Sequence, residues 1–305
     1  MIVIACPGQG SQTPGFLSEW IGDADSRAFL EAASRAADVD LVAHGTTSDA
    51  DTIRNTEIAQ PLIVAASILA WRALAARADL SAVGVAGHSV GEFAAAVAAG
   101  VLSETDAMRL VGVRGRAMAT AAAAEQTGMS AVVGGVESDV LAAIDAAGLT
   151  PANRNGGGQI VAAGSLAGLA TLAENAPRGA RVIQLQVAGA FHTPYMGSAT
   201  AVLGEAAATT AVGDPTLQLW SNADGGLVTS GEAFRDSLVS QIAHPVRWDA
   251  CMESFTAAGI TGLIELTPAG ALTGIAKRGL KGVPAVAVKT PADLEAAVQL
   301  LTDAA

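Results

Sequence analysis

The chain has 305 residues, of which 51% are hydrophobic and 15% charged, with a net charge of −12. That much apolar surface offsets chain entropy and excludes a disordered polypeptide. Seventeen basic against 29 acidic residues exclude the basic face that a nucleic-acid binder carries. The length suits one large α/β domain or two unequal ones. Only 4% of residues are aromatic and more than a fifth are Ala, so helices are expected to pack closely on small side chains.

In chain order, Met1–Cys6 lacks a basic n-region and runs into a Gly-rich turn, so it is a buried strand, Ile2–Cys6, and not a signal peptide. A helix over Ile58–Arg77, a strand over Val83–Gly87, and helices over Val90–Ala99 and Glu104–Ala124 follow. From about Gly128 the pattern changes to strand Ser130–Val136, helix Ser138–Ala147, strand Thr150–Asn155, strand Gln159–Ala163, helix Leu166–Glu174 and strand Arg181–Val187. That β-α-β-β-α-β order is ferredoxin-like, and it reads as a small subdomain inserted in a larger one. The stretch Val182–Gly204 lacks Asp, Glu, Lys and Arg, yet Gln184, Gln186, His192 and Pro194 interrupt it, so no membrane span is expected. Helices over Gly231–Ile242, Trp248–Ala258, Ala271–Leu280 and Ala292–Leu301 alternate with strands Gly262–Leu266 and Ala285–Val288. Uninterrupted apolar strands alternating with helices predict a parallel sheet covered on both faces.

The strongest local signal is Gly87-His88-Ser89-Val90-Gly91, a G-x-S-x-G between a strand and a helix. A nucleophilic serine needs a tight strand-to-helix turn, with glycines where a Cβ would clash. Ser89-Val90-Gly91-Glu92 also matches S-x-x-E, the helix-capping box, and both uses stay open on these residues. Among four histidines, His88 should point away from its neighbour Ser89, His44 lies in a polar loop, and His244 has no reactive setting. His192, in a loop after the last strand of the insert, is the remaining base. No acidic third member stands out. Asp214 and Asp249 are candidates only by elimination, and a main-chain carbonyl could fix the histidine tautomer instead. Pro7-Gly8-Gln9-Gly10-Ser11-Gln12 lacks the third glycine and the distant acid of a dinucleotide fingerprint. It is either a plain turn or the source of a backbone N–H for an oxyanion, opposite the amide of Val90. Arg114, on an Ala-rich helix, is either solvated or turned into a cleft, where its planar fork would suit a carboxylate.

Taken together, five segments resemble the malonyl-CoA:acyl-carrier-protein transacylases of fatty acid synthesis and the acyltransferase domains of polyketide synthases. They are Pro-Gly-Gln-Gly-Ser-Gln at 7–12, Gly-His-Ser-Val-Gly-Glu at 87–92, Arg-Gly-x-x-Met at 114–118, Gly-Ala-Phe-His at 189–192, and Gln241 before His244-Pro245. The resemblance spans essentially the whole chain. It implies an α/β fold: a large α/β-hydrolase-like domain with a parallel sheet over 1–127 and 189–305, and the ferredoxin-like small subdomain over 128–188. It implies a malonyl group carried on Ser89, with His192 as base and then acid, and the amides of Gln9 and Val90 as oxyanion hole. It further implies that Arg114 holds the malonyl carboxylate and that the Gln241 carbonyl orients His192. Phe191 would exclude an α-methyl branch and so favour malonyl over methylmalonyl. The partners implied are malonyl-CoA and acyl carrier protein, with no cofactor and no metal.

A stand-alone polyketide-type acyltransferase is the nearest alternative. A serine esterase or thioesterase shares G-x-S-x-G but needs an acid and not Arg114. An inactive docking module would use Ser89 only as a helix cap. Carrier protein is itself strongly acidic, so a local basic patch must overcome the −12 charge, and Lys277, Arg278 and Lys281 are the densest candidate. Two lone cysteines, Cys6 and Cys251, form no disulfide framework, so a reducing cytoplasm is expected, and a monomer is expected because nothing in the sequence demands an oligomer.

Overall fold

The computed structural model describes residues 1–304. Its strands are β1 (Ile2–Cys6), β2 (Gly84–Gly87), β3 (Thr127–Gly134), β4 (Thr150–Gly156), β5 (Gln159–Ser165), β6 (Ala180–Gln184), β7 (Gln218–Trp220), β8 (Val246–Arg247), β9 (Gly262–Glu265) and β10 (Ala285–Ala287). They form two five-stranded sheets in an α/β fold. The first has the order β10-β9-β1-β2-β7 and is parallel throughout. Every residue of β1, β2 and β9 is buried, as runs without polar alternation require when helices cover both faces. Pairing of Cys6 with Gly87 and of Ala5 with Glu265 brings the C-terminal ends of three strands to one edge. The chain therefore leaves the sheet there in three neighbouring loops, the place where open α/β sheets bind ligands.

The second sheet has the order β6-β3-β5-β4-β8. β3 runs antiparallel to β5 and β6, β4 runs antiparallel to β5, and β8 runs parallel to β4. The two-residue β8, next to Pro245, enters this sheet from outside the 128–188 segment. Neither it nor β7 was expected from the sequence.

Helices at Glu104–Ala124 and Leu166–Glu174 fall on their expected bounds, and the other expected helices shift by a few residues. Helices at Ala24–Ala37, Leu41–Thr46 and Gly197–Ala208 were not expected, and His44 lies in the second of them and not in a loop. Helix Thr56–Ala75 is the one helix among the described residues long and apolar enough to cross a membrane. Its apolar window is 72% buried inside the protein, where it packs against Glu104–Ala124 as a core helix. Helix Ala271–Gly279 is anchored by the buried carboxylate of Glu265, which accepts the N–H groups of Gly270, Leu272 and Thr273 at 2.8–2.9 Å. Those N–H groups have no partner within the helix, and an anion satisfies them best.

Candidate active site

Ser89 sits at the second of the three loops, between β2 and helix Gly91–Ala98, with φ of +54°. A side chain at Gly87 would lie 2.1 Å from the Glu92 nitrogen, and one at Gly91 would lie 2.2 Å from the Cys6 carbonyl oxygen. Only glycine lets the chain turn this tightly against β1. Three non-glycine residues among those described have positive φ: Asp38, Ser89 and His192, the last at +61°. Such a conformation costs about 1–3 kcal/mol per residue and persists only where surroundings enforce it.

The two strained residues meet. Ser89 Oγ and His192 Nε2 are 2.7 Å apart, and His192 Nδ1 lies 2.8 Å from the main-chain oxygen of Gln241. A carbonyl only accepts, so Nδ1 carries the proton and Nε2 presents its lone pair to the serine hydroxyl. The His192 N–H also donates to the Ile242 carbonyl at 3.1 Å, which fixes the backbone of the ring. Burial, reinforced by the nearby Arg114 charge, holds the imidazole pKa down at about 3, so His192 is neutral at physiological pH. The pair can therefore act as nucleophile and general base. Among the described residues no carboxylate completes it. Asp214 accepts the Gly231 N–H, and Asp249 pairs with Arg247 and Arg154.

The alternative use of Ser89 as a helix cap is not realised. The N-terminus of Gly91–Ala98 has no side-chain cap, and the Ser89 N–H donates to Asn222 Oδ1 at 2.7 Å instead of to Glu92. Asn222 Nδ2 reaches back to the Gly87 carbonyl at 2.7 Å, so this one side chain straddles the turn. Glu92 is 1% exposed, accepts the Asn222 N–H at 2.6 Å, and accepts from Gln241 Nε2 as well. Neither Asn222 nor this use of Glu92 was read from the sequence.

Arg114 is also 1% exposed, so the solvated alternative fails. Its Nη1 donates to Gln60 Oε1 at 2.6 Å and its Nη2 to Gln241 Oε1 at 2.8 Å, while Nε has no partner. Both acceptors are neutral, which leaves the cation without a hydrogen-bonded carboxylate. Burial lowers its pKa to about 10, so it stays charged near neutrality.

A cavity of about 290 Å³ lies between the two sheets. Ser89, His192, Arg114, Phe191, and the Gln9 and Val90 turns all line it. Neither the Gln9 nor the Val90 N–H has a partner among the described residues, so both are available to an oxyanion. His88 also borders the cavity. Its Nε2–H donates to Asn155 Oδ1 at 2.8 Å, and its ring packs edge-on against Trp248. His244 is exposed and bonded within its own turn. Lys277, Arg278 and Lys281 are exposed at the C-terminal end of helix Ala271–Gly279, whose first turns line the cavity through Ala271, Leu272 and Ile275. Arg278 is partly engaged there, donating to the Gly157 carbonyl at 3.1 Å.

Residues 3–298 match the family model described as the acyl transferase domain. The chain belongs to the acyl transferase family. Within that family it is 53% identical over 300 residues to the malonyl CoA-acyl carrier protein transacylase of Mycobacterium tuberculosis (strain H37Rv), covering 97% of this chain and 98% of that protein. It is 33% identical to the malonyl CoA-acyl carrier protein transacylase of Escherichia coli K12, covering 96% of this chain and 97% of that protein. The crystal structure of the Mycobacterium tuberculosis enzyme superposes with a TM-score of 0.94 at 52% identity, over 97% of this chain and 99% of that one. A family member solved as a malonyl-transacylase in complex with its type II polyketide acyl-carrier protein gives a TM-score of 0.89 at 30% identity, over 98% of this chain and 99% of that one.

Proposed function

We propose that the chain is a malonyl-CoA:acyl-carrier-protein transacylase, an acyltransferase that supplies malonyl groups to fatty acid synthesis. The observation that carries this reading is Arg114: a buried cation, with an unpaired Nε, beside a serine–histidine pair in one cavity. An ester or plain acyl substrate has no use for it, whereas a malonyl group brings the missing carboxylate.

In the first half-reaction Ser89 Oγ attacks the thioester carbonyl of malonyl-CoA while His192 Nε2 takes its proton. The developing oxyanion is held by the N–H groups of Gln9 and Val90. The C–S bond breaks, His192 returns the proton to the departing thiolate, and malonyl-Ser89 remains. In the second half the phosphopantetheine thiol of acyl carrier protein gives its proton to His192 and attacks the ester. The C–O bond breaks and Ser89 regains the proton. The Gln241 carbonyl keeps the histidine in the productive tautomer, a duty for which esterases usually employ an acid. Phe191, on the cavity wall, leaves no room for an α-methyl branch.

The sheet order β6-β3-β5-β4 supports reading 128–188 as a ferredoxin-like subdomain inserted in an α/β-hydrolase-like catalytic domain over 1–127 and 189–305. Two buried thiols suit the reducing cytoplasm. Lys277, Arg278 and Lys281 would receive the acidic carrier protein, and their helix leads from the surface to the cavity wall. The test is product partition: malonyl-CoA turnover with and without holo carrier protein. Transfer to the carrier thiol with slow hydrolysis in its absence supports the reading, and fast hydrolysis without carrier protein overturns it in favour of a thioesterase.

A further inference from the structure

Glu92 takes no part in the steps above, yet its carboxylate lies where an unpaired charge would cost several kcal/mol. Its two oxygens divide their work. Oε1 accepts the Asn222 N–H at 2.6 Å, and Oε2 accepts from Gln241 Nε2. Asn222 holds the Ser89 N–H and the Gly87 carbonyl, both at 2.7 Å. Gln241 holds His192 through its main-chain oxygen at 2.8 Å and Arg114 through Oε1 at 2.8 Å, and it donates to the Ser89 carbonyl at 3.0 Å. One carboxylate thus fixes two residues that between them fix nucleophile, base and cation.

We propose that Glu92 is a positioning residue for acyl transfer: its ionised carboxylate locks Asn222 and Gln241, and through them aligns Ser89, His192 and Arg114. The need for an anion follows from donor–acceptor arithmetic. With Oε1 of Gln241 facing the Arg114 guanidinium, the amide nitrogen must find acceptors, and Glu92 is one of them. A carboxylate accepts from both Gln241 and Asn222. A protonated acid, or an amide, presents a donor on one side and cannot satisfy both.

Two facts give the arrangement a pH signature. Burial pushes the Glu92 pKa up to about 7 despite its hydrogen bonds and the Arg114 charge. Glu92 also lines no part of the substrate cavity. It borders a second cavity of about 370 Å³ with Asn222, Gln241, Ser240, His244 and Arg247, so its proton can exchange while an acyl group occupies the front. The charged or titratable groups facing it are Arg114, Cys251, and His244 and Arg247 across that cavity. Acylation therefore falls as pH drops through about 7, where Glu92 takes a proton.

The proposal rests on the Ser89–His192 reading, and one experiment separates the two. Single-turnover formation of malonyl-Ser89 is followed by mass spectrometry after rapid quenching, from about pH 5 to about pH 9, in the wild type, Glu92→Gln and Glu92→Asp. Steady-state kcat and KM and thermal stability are measured alongside. The wild type shows an acid limb near neutrality. Glu92→Gln acylates slower by on the order of 10- to 100-fold, with the loss in kcat larger than any rise in KM for malonyl-CoA, and with no such limb. Glu92→Asp, which keeps the charge, retains the limb and lies between. The limb also survives His244→Gln, which excludes the other titratable group at the second cavity. A wild-type rate flat across this range, or Glu92→Gln acylating like the wild type, overturns the proposal while leaving the dyad intact. If Glu92→Gln does not fold, the wild-type limb and Glu92→Asp decide. Absence of any wild-type adduct on Ser89 overturns the underlying reading instead.

Discussion

Replacing Arg114 by Ala separates binding of the malonyl carboxylate from every other step of the reaction. In the structure the guanidinium is buried and spends two of its five N–H groups on two amide oxygens at 2.6 and 2.8 Å, which leaves three, the Nε–H among them, for a carboxylate. A hydrogen bond to a charged partner contributes about 1.5–3 kcal/mol, so a two-point clasp on a carboxylate is worth roughly 3–6 kcal/mol. At ~1.4 kcal/mol per tenfold, kcat/KM for malonyl-CoA should fall roughly 100- to 10,000-fold. The substitution also strips Gln60 and Gln241 of a partner, a cost of about 1–3 kcal/mol each. That damage is common to all donors, because Gln241 orients His192 whichever acyl group is carried. Acetyl-CoA has no carboxylate to lose, so the ratio of the two specificity constants cancels the shared damage. The assay is transfer to holo carrier protein from malonyl-CoA and acetyl-CoA in parallel, with folding checked by circular dichroism. A malonyl-to-acetyl ratio reduced about 100-fold or more fits the carboxylate role. Equal losses for both donors would refute it and leave Arg114 as a support for Gln241 alone.

Phe191→Ser opens the cavity wall and should raise methylmalonyl-CoA transfer relative to malonyl-CoA by roughly 10- to 100-fold, the worth of one methyl in a pocket; an unchanged ratio in competition assays removes Phe191 from specificity. His192 contributes a pH dependence to stability. Its folded pKa of about 3 lies below the usual 6.5, so between these values the unfolded chain binds more protons. The contribution is complete above about pH 6.5 and is lost as pH falls toward about 3. Urea denaturation of the wild type and His192→Gln at several pH values in that window should show the wild type losing its relative stability on acidification, and parallel curves would contradict the assignment. Burial pushes the Cys6 thiol up to about 12 and raises that of Cys251. The double Ser variant should turn over normally, and loss of turnover in a folded double variant would show a role for a thiol. Charge reversal at Lys277 and Lys281 should raise the KM for carrier protein at low salt and leave that for malonyl-CoA unchanged, whereas an unaltered carrier KM removes the patch.

Local chemistry carried most of the site. A strand, a G-x-S-x-G turn and a lone histidine after the insert led to Ser89 and His192, which the structure brings to 2.7 Å. Gln241 could be reached only through resemblance, because a main-chain carbonyl leaves no mark on the side-chain sequence. Glu92 was visible as a residue, but its partners were not. The S-x-x-E spacing suggests a partner three residues away, while its actual partners are 130 and 149 residues distant. Asn222 gave no signal, lying in a turn beyond a strand of three residues. β7 and β8 are too short to display either apolar continuity or alternation. Helix Gly197–Ala208 has no side-chain cap to announce its start. For Ala24–Ala37 the signal was present: Asp23 caps Ser26, and Phe29, Leu30, Ala33 and Ala37 form one buried stripe.

The central claim is that Ser89 carries the malonyl group. Brief mixing with malonyl-CoA, followed by intact-mass and peptide mass spectrometry, should reveal one malonyl adduct per chain on Ser89. Holo acyl carrier protein should then remove it with appearance of malonyl on the carrier, and Ser89→Ala should form none. An adduct on another residue, or transfer that proceeds in Ser89→Ala, would contradict the account.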